Sequence, residues 1–421
     1  MTQQLALTVI ADVKPGRAEE ARRVLRAMNE DPGDGVIPFA KIPTVHFARM
    51  LILDEATGLK GEPLPARFLF MTDIDAPERS YSEDLGSVGG EGLETILRCC
   101  EGYPETSSSE GRIDYLRAHQ VPPAAMYVNT VGRTVEQIHR EARLRNAIQG
   151  YLDAHPGDRT DITYGEMRER IRAFVDGEES LRWAVHGPST SLLWRLQEAV
   201  HLVAVPLLLL LLLPLAIVLV PLAAILLRLK ELRDEPSRER PTEEHSRRLG
   251  ELEDHGAQNQ FTAVGFLKPG PLRRLTTQSL LWLANYATRH VFNRGRLTGI
   301  KTIHFARWVF LDDKRRMIFT SSYDGSLESY MDDFIDKVAW GLNGVFTNGV
   351  GYPRTRWLVF DGARDELAFK NYLRVHQHPT EFWYSAYDDL TAQNIENNAL
   401  IRTGLSGSMS ERQAADWLRR I

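Results

Sequence analysis

The run Ile303-His304-Phe305-Ala306-Arg307-Trp308-Val309-Phe310-Leu311-Asp312 has a near-copy far upstream, Val45-His46-Phe47-Ala48-Arg49-Met50-Leu51-Ile52-Leu53-Asp54. Both runs are rich in β-branched, aliphatic and aromatic residues, which is typical of buried strands. A recurrence of this kind indicates an internal repeat, and a repeat constrains every later assignment of structure. The sequence therefore predicts two related units with other residues between them.

Further matches flank both runs in the same order. They pair residues 8–16 with 262–270, 67–70 with 316–319, 102–104 with 351–353, and 115–120 with 372–377. The predicted order in each unit is strand, helix, strand, strand, helix, strand, which is the ferredoxin-like plan. A sheet with helices on one face needs a cover for its other face. We therefore expect an α+β protein in which two tandem ferredoxin-like repeats, residues 1–154 and 256–421, pack as an intramolecular α/β barrel. Residues 155–255 form a helical insert.

The composition argues against several classes of partner. A formal net charge of -5 over 421 residues gives no basic surface for nucleic acid, and no zinc-finger or RNA-binding pattern occurs. Cys99 and Cys100 are adjacent and cannot join distant parts of a fold, which is typical of a reduced, cytosol-facing chain. The first residues lack a signal-peptide pattern. We expect no nucleic-acid partner.

Residues 202–227 have a different character. They contain no charged or strongly polar side chain and include seven consecutive leucines at 207–213. As a helix this segment would be roughly 39 Å long at about 1.5 Å per residue, and roughly 20 apolar residues suffice to cross a bilayer. The segment predicts a membrane anchor, so the lipid bilayer is an expected partner.

The repeat constrains how this anchor enters the membrane. If the two units pack together, both ends of the segment lie on one side of the bilayer. Pro206, Pro214 and Pro221 can bend a helix or turn it back, and basic residues flank both ends, which favours cytoplasmic ends. The sequence therefore favours a re-entrant hairpin over a straight span, with both repeats facing the cytoplasm.

Polar residues also repeat within the matched strands. The pairs are His46 with Arg49, and His304 with Arg307. A His and an Arg three residues apart on a strand point to opposite faces of the sheet. This favours structural roles, namely a hydrogen-bonded His and an Arg paired with Asp84 or Asp333. The alternative is that His304 and Arg307 are catalytic.

A second histidine pattern is His376-Gln377-His378, which matches His119-Gln120 in the first unit. As a strand it would place two imidazoles on one face, and these could form part of a metal site on His376. No carboxylate or third histidine stands at a spacing typical of metal ligands.

Two ferredoxin-like halves in one chain resemble the dimeric α/β-barrel superfamily, and most nearly its dye-decolorising peroxidases. Those haem enzymes carry a Gly-x-x-Asp-Gly motif, and this chain has Ser321-Ser322-Tyr323-Asp324-Gly325, with Ser321 in place of the first Gly. The resemblance implies haem as the cofactor, Asp324 as proton shuttle, His376 as axial iron ligand with His378 beside it, and Arg402 as charge stabiliser.

Two functions are compatible with these patterns. The first is a membrane-anchored oxidoreductase, haem peroxidase-like, that acts on a lipophilic substrate delivered from the bilayer. The second is a non-catalytic membrane-anchored scaffold that binds a partner protein or another copy of itself. Polar residues that recur in both units favour the scaffold, and Asp324-Gly325 and His378 favour the enzyme.

Overall fold

The computed structural model describes residues 4–105, 107–155, 162–186, 192–292, 299–387 and 389–421. Within these ranges the strands are β1 (Gln4–Asp12), β2 (Val45–Leu53), β3 (Ala56–Thr57), β4 (Pro63–Leu64), β5 (Arg67–Asp75), β6 (Ala125–Val128), β7 (Gln258–Phe266), β8 (Ile303–Leu311), β9 (Arg316–Asp324), β10 (Thr355–Arg356), β11 (Phe360–Asp361) and β12 (Phe382–Ser385). The helices are α1 (Ala18–Met28), α2 (Glu78–Val88), α3 (Gly90–Leu97), α4 (Ser109–Ala118), α5 (Val135–Ala154), α6 (Tyr164–Gly177), α7 (Leu192–Glu231), α8 (Glu243–Gly250), α9 (Pro271–His290), α10 (Leu327–Phe346), α11 (Glu366–His376), α12 (Ala392–Gly404) and α13 (Glu411–Leu418). The protein is α+β, as predicted.

Eight of these strands form two antiparallel sheets. The first has the order β1-β5-β2-β12 and the second the order β6-β8-β9-β7. The two matched runs of the sequence are β2 and β8, which occupy the same interior position in their sheets. All nine residues of β2 are buried, because it has a neighbour on each side and a cover on each face.

Each sheet takes one strand from the other end of the chain. In the first half (residues 1–154), β6 pairs with β8 of the second sheet. In the second half (residues 256–421), β12 pairs with β2 of the first sheet. The two halves are therefore joined by main-chain hydrogen bonds as well as by side chains.

The molecule is layered as helices, sheet, sheet, helices. Helices α1 to α4 pack on one face of the first sheet, and α9 to α11 pack on one face of the second. The two remaining faces pack on each other through a cluster of aliphatic side chains: Ile10, Leu51, Leu53, Leu69, Met71, Val264, Val309, Leu311 and Ile318. Burial of these side chains removes apolar area from water and stabilises the contact between the sheets.

A separate helical layer closes one end of the interface between the sheets. Helices α5, α6, α12 and α13 share a core that includes Ile148, Ile171, Ile401 and Trp417. Thr134 caps α5, and Thr391 caps α12 in a capping box with Asn394, so both helices begin at defined points. Those points lie beside the candidate site.

Helix α7 contains the predicted anchor. It continues through Pro206, Pro214 and Pro221 as one helix, so the predicted re-entrant hairpin is wrong. A proline removes one backbone hydrogen bond and bends a helix, but it does not have to end one. Among the described residues, α7 is the one helix that is long and apolar enough to cross a membrane, and nearly all of its apolar window is exposed.

Candidate functional site

Two buried His–Asp pairs lie at one end of the interface between the sheets. His46 Nε2 lies 3.0 Å from Asp75 Oδ1, and His304 Nε2 lies 2.6 Å from Asp324 Oδ1. Each His is the second residue of an interior strand, and each Asp is the last residue of the strand beside it. All four side chains are buried.

The second oxygen of each carboxylate is also occupied. Asp75 Oδ2 accepts a hydrogen bond from Val135 N at 2.9 Å, and Asp324 Oδ2 accepts one from Ala392 N at 2.7 Å. These amides open helices α5 and α12, where unpaired N–H groups and the helix dipole favour a negative charge. Each Asp therefore ties a strand end to a His and to a helix start.

Tyr387 lies against both pairs. Its hydroxyl hydrogen-bonds His46 Nδ1, and its ring stacks on His304 at a centroid distance of 6.3 Å. Burial raises the pKa of Tyr387 well above its usual range. Tyr387 and Asp75 are not among the residues predicted from the sequence. Extending the match of residues 67–70 with 316–319 by five positions aligns Asp75 with Asp324, whereas no sequence pattern singled out Tyr387.

Each His faces the opposite sheet, like the Arg three residues later. The His46 ring lies 5.1 Å from that of Phe305, and the His304 ring lies 5.3 Å from that of Phe47. The strand register shifts at both histidines, between residues 45 and 47 and between 303 and 305. A β-bulge breaks the alternation of side chains, so the prediction that His and Arg point to opposite faces is wrong.

Arg49 and Arg307 cross the interface in opposite directions. Arg49 donates to Phe261 O at 2.9 Å, Ser321 O at 3.0 Å and Ser322 Oγ at 2.7 Å in the second sheet. It makes no ion pair among the described residues, and burial lowers its pKa to about 9. Its bonds are to neutral oxygens, so its charge is uncompensated by a direct acidic partner.

Arg307 has the counterpart position and a different set of partners. It donates to Leu7 O at 2.6 Å, Thr72 O at 3.1 Å and Asp73 Oδ1 at 2.5 Å in the first sheet. The prediction that Asp84 and Asp333 pair with the two arginines is therefore wrong. Asp73 aligns with Ser322, so a carboxylate stands on one side of the interface and a hydroxyl on the other.

Arg402 lies deeper in the helical layer. Its Nε donates to Glu141 Oε1 at 2.7 Å, and both side chains are buried. Arg402 is ten residues beyond Ala392 on α12, which corresponds to roughly 15 Å along the helix axis from the amide that binds Asp324. Arg402 and Asp324 do not share one site.

His376 is the last residue of helix α11, so residues 376–378 do not form the strand that would place both imidazoles on one face. His376 Nδ1 lies 2.8 Å from Tyr372 O, and its counterpart His119 Nδ1 lies 2.8 Å from Tyr115 O. Burial lowers the pKa of His376, and it lowers the pKa of His378 to about 4. Neutral imidazoles at these positions are consistent with packing.

The residues that the resemblance assigns to haem are far apart. His376 and Gly265 line one small cavity, while Gln258, seven residues earlier on β7, pairs with Asp324. At about 3.3 Å per strand residue, His376 and Asp324 are separated by roughly 23 Å. The cavity beside His376 has a volume of about 20 Å³, whereas ligand pockets span about 300–1,000 Å³.

These residues do not fit a haem site. Both oxygens of Asp324 bind protein groups, Arg402 binds Glu141, and His376 stands at the other end of the second sheet. Among the described residues, no group of three or more His, Cys, Asp or Glu side chains has a geometry that could hold a metal ion. The arrangement can orient strands and helices, and the carboxylates of Asp75 and Asp324 are each bonded at both oxygens.

The chain matches nothing in three comparisons. No protein-family model, no curated protein and no solved structure matches it.

Proposed function

We propose that this chain is a membrane-attached, non-catalytic binding protein built on two tandem ferredoxin-like repeats that face the cytoplasm. One observation carries the proposal: the repeated polar residues are bonded to other protein groups. The His–Asp pairs lie within each half, and Arg49 and Arg307 bond across the two halves. His46, Asp75, His304 and Asp324 are all buried, and each His is bonded to the Asp of its own half. Buried polar groups with complete hydrogen bonding fix a specific packing arrangement.

The exposed apolar surface of α7 supports the membrane part of the proposal. A soluble protein rarely exposes a large contiguous apolar surface, and such a surface marks a protein or membrane contact. A rigid body held beside a membrane can bind a protein at the same membrane. We infer that this partner is a second copy of the chain or another protein.

A haem peroxidase acting on a lipophilic substrate has less support. The Asp324-Gly325 motif favoured the enzyme because it occurs in the second unit alone. However, Asp75 occupies the position that matches Asp324 and makes the same two kinds of contact. His376 likewise shares its position and its bond with His119.

An absorption spectrum of the detergent-purified chain, with iron quantified before and after incubation with hemin, tests this directly. We expect no Soret band and no stoichiometric iron. The matched variants are His376→Ala and His119→Ala. A Soret band with about one iron per chain, lost in His376→Ala and kept in His119→Ala, would overturn the proposal.

The variants Asp324→Asn and Asp75→Asn provide a second test. Each replaces a charged acceptor that serves a His and a helix start, so both should lower the free energy of unfolding by about 1–3 kcal/mol. Urea unfolding in detergent measures it. A loss confined to Asp75→Asn, with Asp324→Asn as stable as the parent, would point to a non-structural role for Asp324.

A further inference from the structure

Helix α7 is bonded to the folded body near its amino-terminal end. Glu198 forms a two-pronged ion pair with Arg289 on α9, and His201 Nδ1 lies 2.6 Å from His290 Nε2 on the same helix. Tyr286 donates its hydroxyl to Leu202 O at 2.9 Å. This carbonyl is the one left without a helical partner by Pro206, because proline has no N–H.

The carboxyl-terminal end of α7 is bonded to the same half of the chain. Glu231 accepts hydrogen bonds from Thr355 Oγ1, Trp357 N and Leu358 N at 2.6–2.9 Å. Burial opposes the ionisation of Glu231, but these bonds and Arg228 outweigh it and lower the pKa of its carboxyl. Three residues beyond the helix, Asp234 binds Lys268 and Arg273.

Both ends therefore belong to one body that cannot be divided by a bilayer. Strand β6 from before the helix pairs with β8, and β12 from after it pairs with β2. Arg49 and Arg307 join the same two sheets. A helix that crossed the membrane once would place these paired strands on opposite sides.

Between its bonded ends, α7 is a continuous helix with exposed apolar sides. Its 40 residues correspond to roughly 60 Å, about twice the thickness of the hydrocarbon core. A continuous helix satisfies nearly all its backbone groups internally, whereas a turn in lipid leaves them unpaired. Lying along the bilayer is thus compatible with the length, the two bonded ends and the exposed sides.

Exposed apolar side chains also occur on the elements that hold the two ends of α7. Trp282 on α9 is 43% exposed, and Trp357 and Phe360 in the β10–β11 hairpin are 47% and 49% exposed. Tryptophan is enriched at membrane–water interfaces because its ring is apolar and its N–H is polar. The exposed Lys230 and Arg233 add positive charge near the carboxyl-terminal end, which favours an anionic lipid surface.

We propose that α7 lies in the plane of the membrane, within one leaflet, and that the second half rests on the same surface through α9 and the β10–β11 hairpin. The ligand of this surface is a lipid bilayer with anionic headgroups. This inference rests on the membrane attachment proposed above and specifies its geometry.

A depth measurement on the full chain tests the geometry. Single cysteines are placed at successive positions from Leu207 to Val220 in a chain with Cys99→Ala and Cys100→Ala, and spin-labelled in vesicles of phosphatidylcholine and phosphatidylglycerol. We expect immersion depth to oscillate with a period of about 3.6 residues around a constant mean. Labels at Glu83 and Asp416, which are exposed on the body, set the zero of depth.

A second measurement uses Gln197→Cys and Arg233→Cys in sealed vesicles with a membrane-impermeant maleimide. Both sites are exposed and flank the apolar segment, and we expect both to react to the same extent. A depth profile with one maximum near Leu213, or a profile that runs from one face to the other, would overturn the in-plane helix. So would labelling of one site alone. Failure of the full chain to bind vesicles at all would instead remove the proposed membrane attachment.

Discussion

At the scale of single residues, the two interface arginines show how one substitution separates related positions. Arg307 has a carboxylate partner in Asp73, whereas Arg49 has Ser322 at the aligned position. A buried charge without a counter-charge is costly, and a hydrogen bond between charged groups contributes more than one to a hydroxyl. Arg307 therefore has a direct ionic partner, whereas Arg49 is attracted to Asp73 only from a distance.

Ser322→Asp should supply the missing carboxylate to Arg49. We expect it to raise the free energy of unfolding by about 1–3 kcal/mol, the usual contribution of a hydrogen bond to a charged group. The matched control is Ser321→Asp, because Ser321 Oγ bonds the Tyr330 hydroxyl and not an Arg side chain. That variant should be destabilised. Urea unfolding measures the free energy of unfolding of both variants. If Ser322→Asp is no more stable than the parent, Arg49 needs no counter-charge.

Glu381 gives the protein a pH dependence with a defined sign. It lies almost fully buried beside β12, accepts a hydrogen bond from Ile52 N at 3.1 Å, and is 3.4 Å from Arg22 Nε. Burial raises its pKa to about 7 from the usual 4.5. The folded state therefore binds a proton more tightly than the unfolded state, and this contribution is complete below about pH 4.5 and is lost as the pH rises through 7.

Glu381→Gln keeps the acceptor for Ile52 N and removes the titration. Relative to the parent, we expect it to gain roughly 2–4 kcal/mol between pH 4.5 and pH 8, since one pKa unit corresponds to about 1.4 kcal/mol. Unfolding midpoints across this range measure the difference. The exposed control Glu83→Gln should leave the slope of the parent unchanged, and an identical slope in Glu381→Gln would contradict the assignment.

At the scale of elements, local sequence patterns predicted most of the helices and strands. Hydrophobic run length located α7, and the β-branched and aromatic runs located β2 and β8. Two structural features were not predicted from the sequence, because they depend on residues that are distant along the chain. The bulges at His46 and His304 appear only once neighbouring strands are paired, and the continuity of α7 through three prolines depends on how the helix is held. The candidate site was the least accurately predicted part, because its geometry depends on the register shifts at the two histidines.

Glu231 offers a test of how the carboxyl-terminal end of α7 is held. Glu231→Ala removes the acceptor for Trp357 N and Leu358 N, so these amides should exchange with deuterium roughly 10–100-fold faster. Lys230→Ala is the matched control, because Lys230 is exposed on the same turn. Mass spectrometry of residues 355–361 reads the effect. Unchanged exchange in Glu231→Ala would mean that other contacts hold this end.

At the scale of the whole molecule, the exchange of β6 and β12 makes the two halves interdependent. Residues 1–186 and 242–421, produced together as two chains without α7, should assemble and remain soluble without detergent. Each chain alone lacks a strand of its sheet and the opposing apolar face, so it should not fold cooperatively. Size-exclusion chromatography with light scattering distinguishes these outcomes. Cooperative unfolding of either chain alone would show that the exchanged strand is dispensable.

The exchanged strand β12 also sets an order of events during synthesis. It begins at Phe382, so the ribosome must make nearly the whole chain before the first sheet can receive its last strand. Helix α7 ends at Glu231 and leaves the exit tunnel much earlier. The apolar helix is therefore available to a bilayer while the body formed by the two sheets is still open. The two sheets are completed only after α7 has left the ribosome.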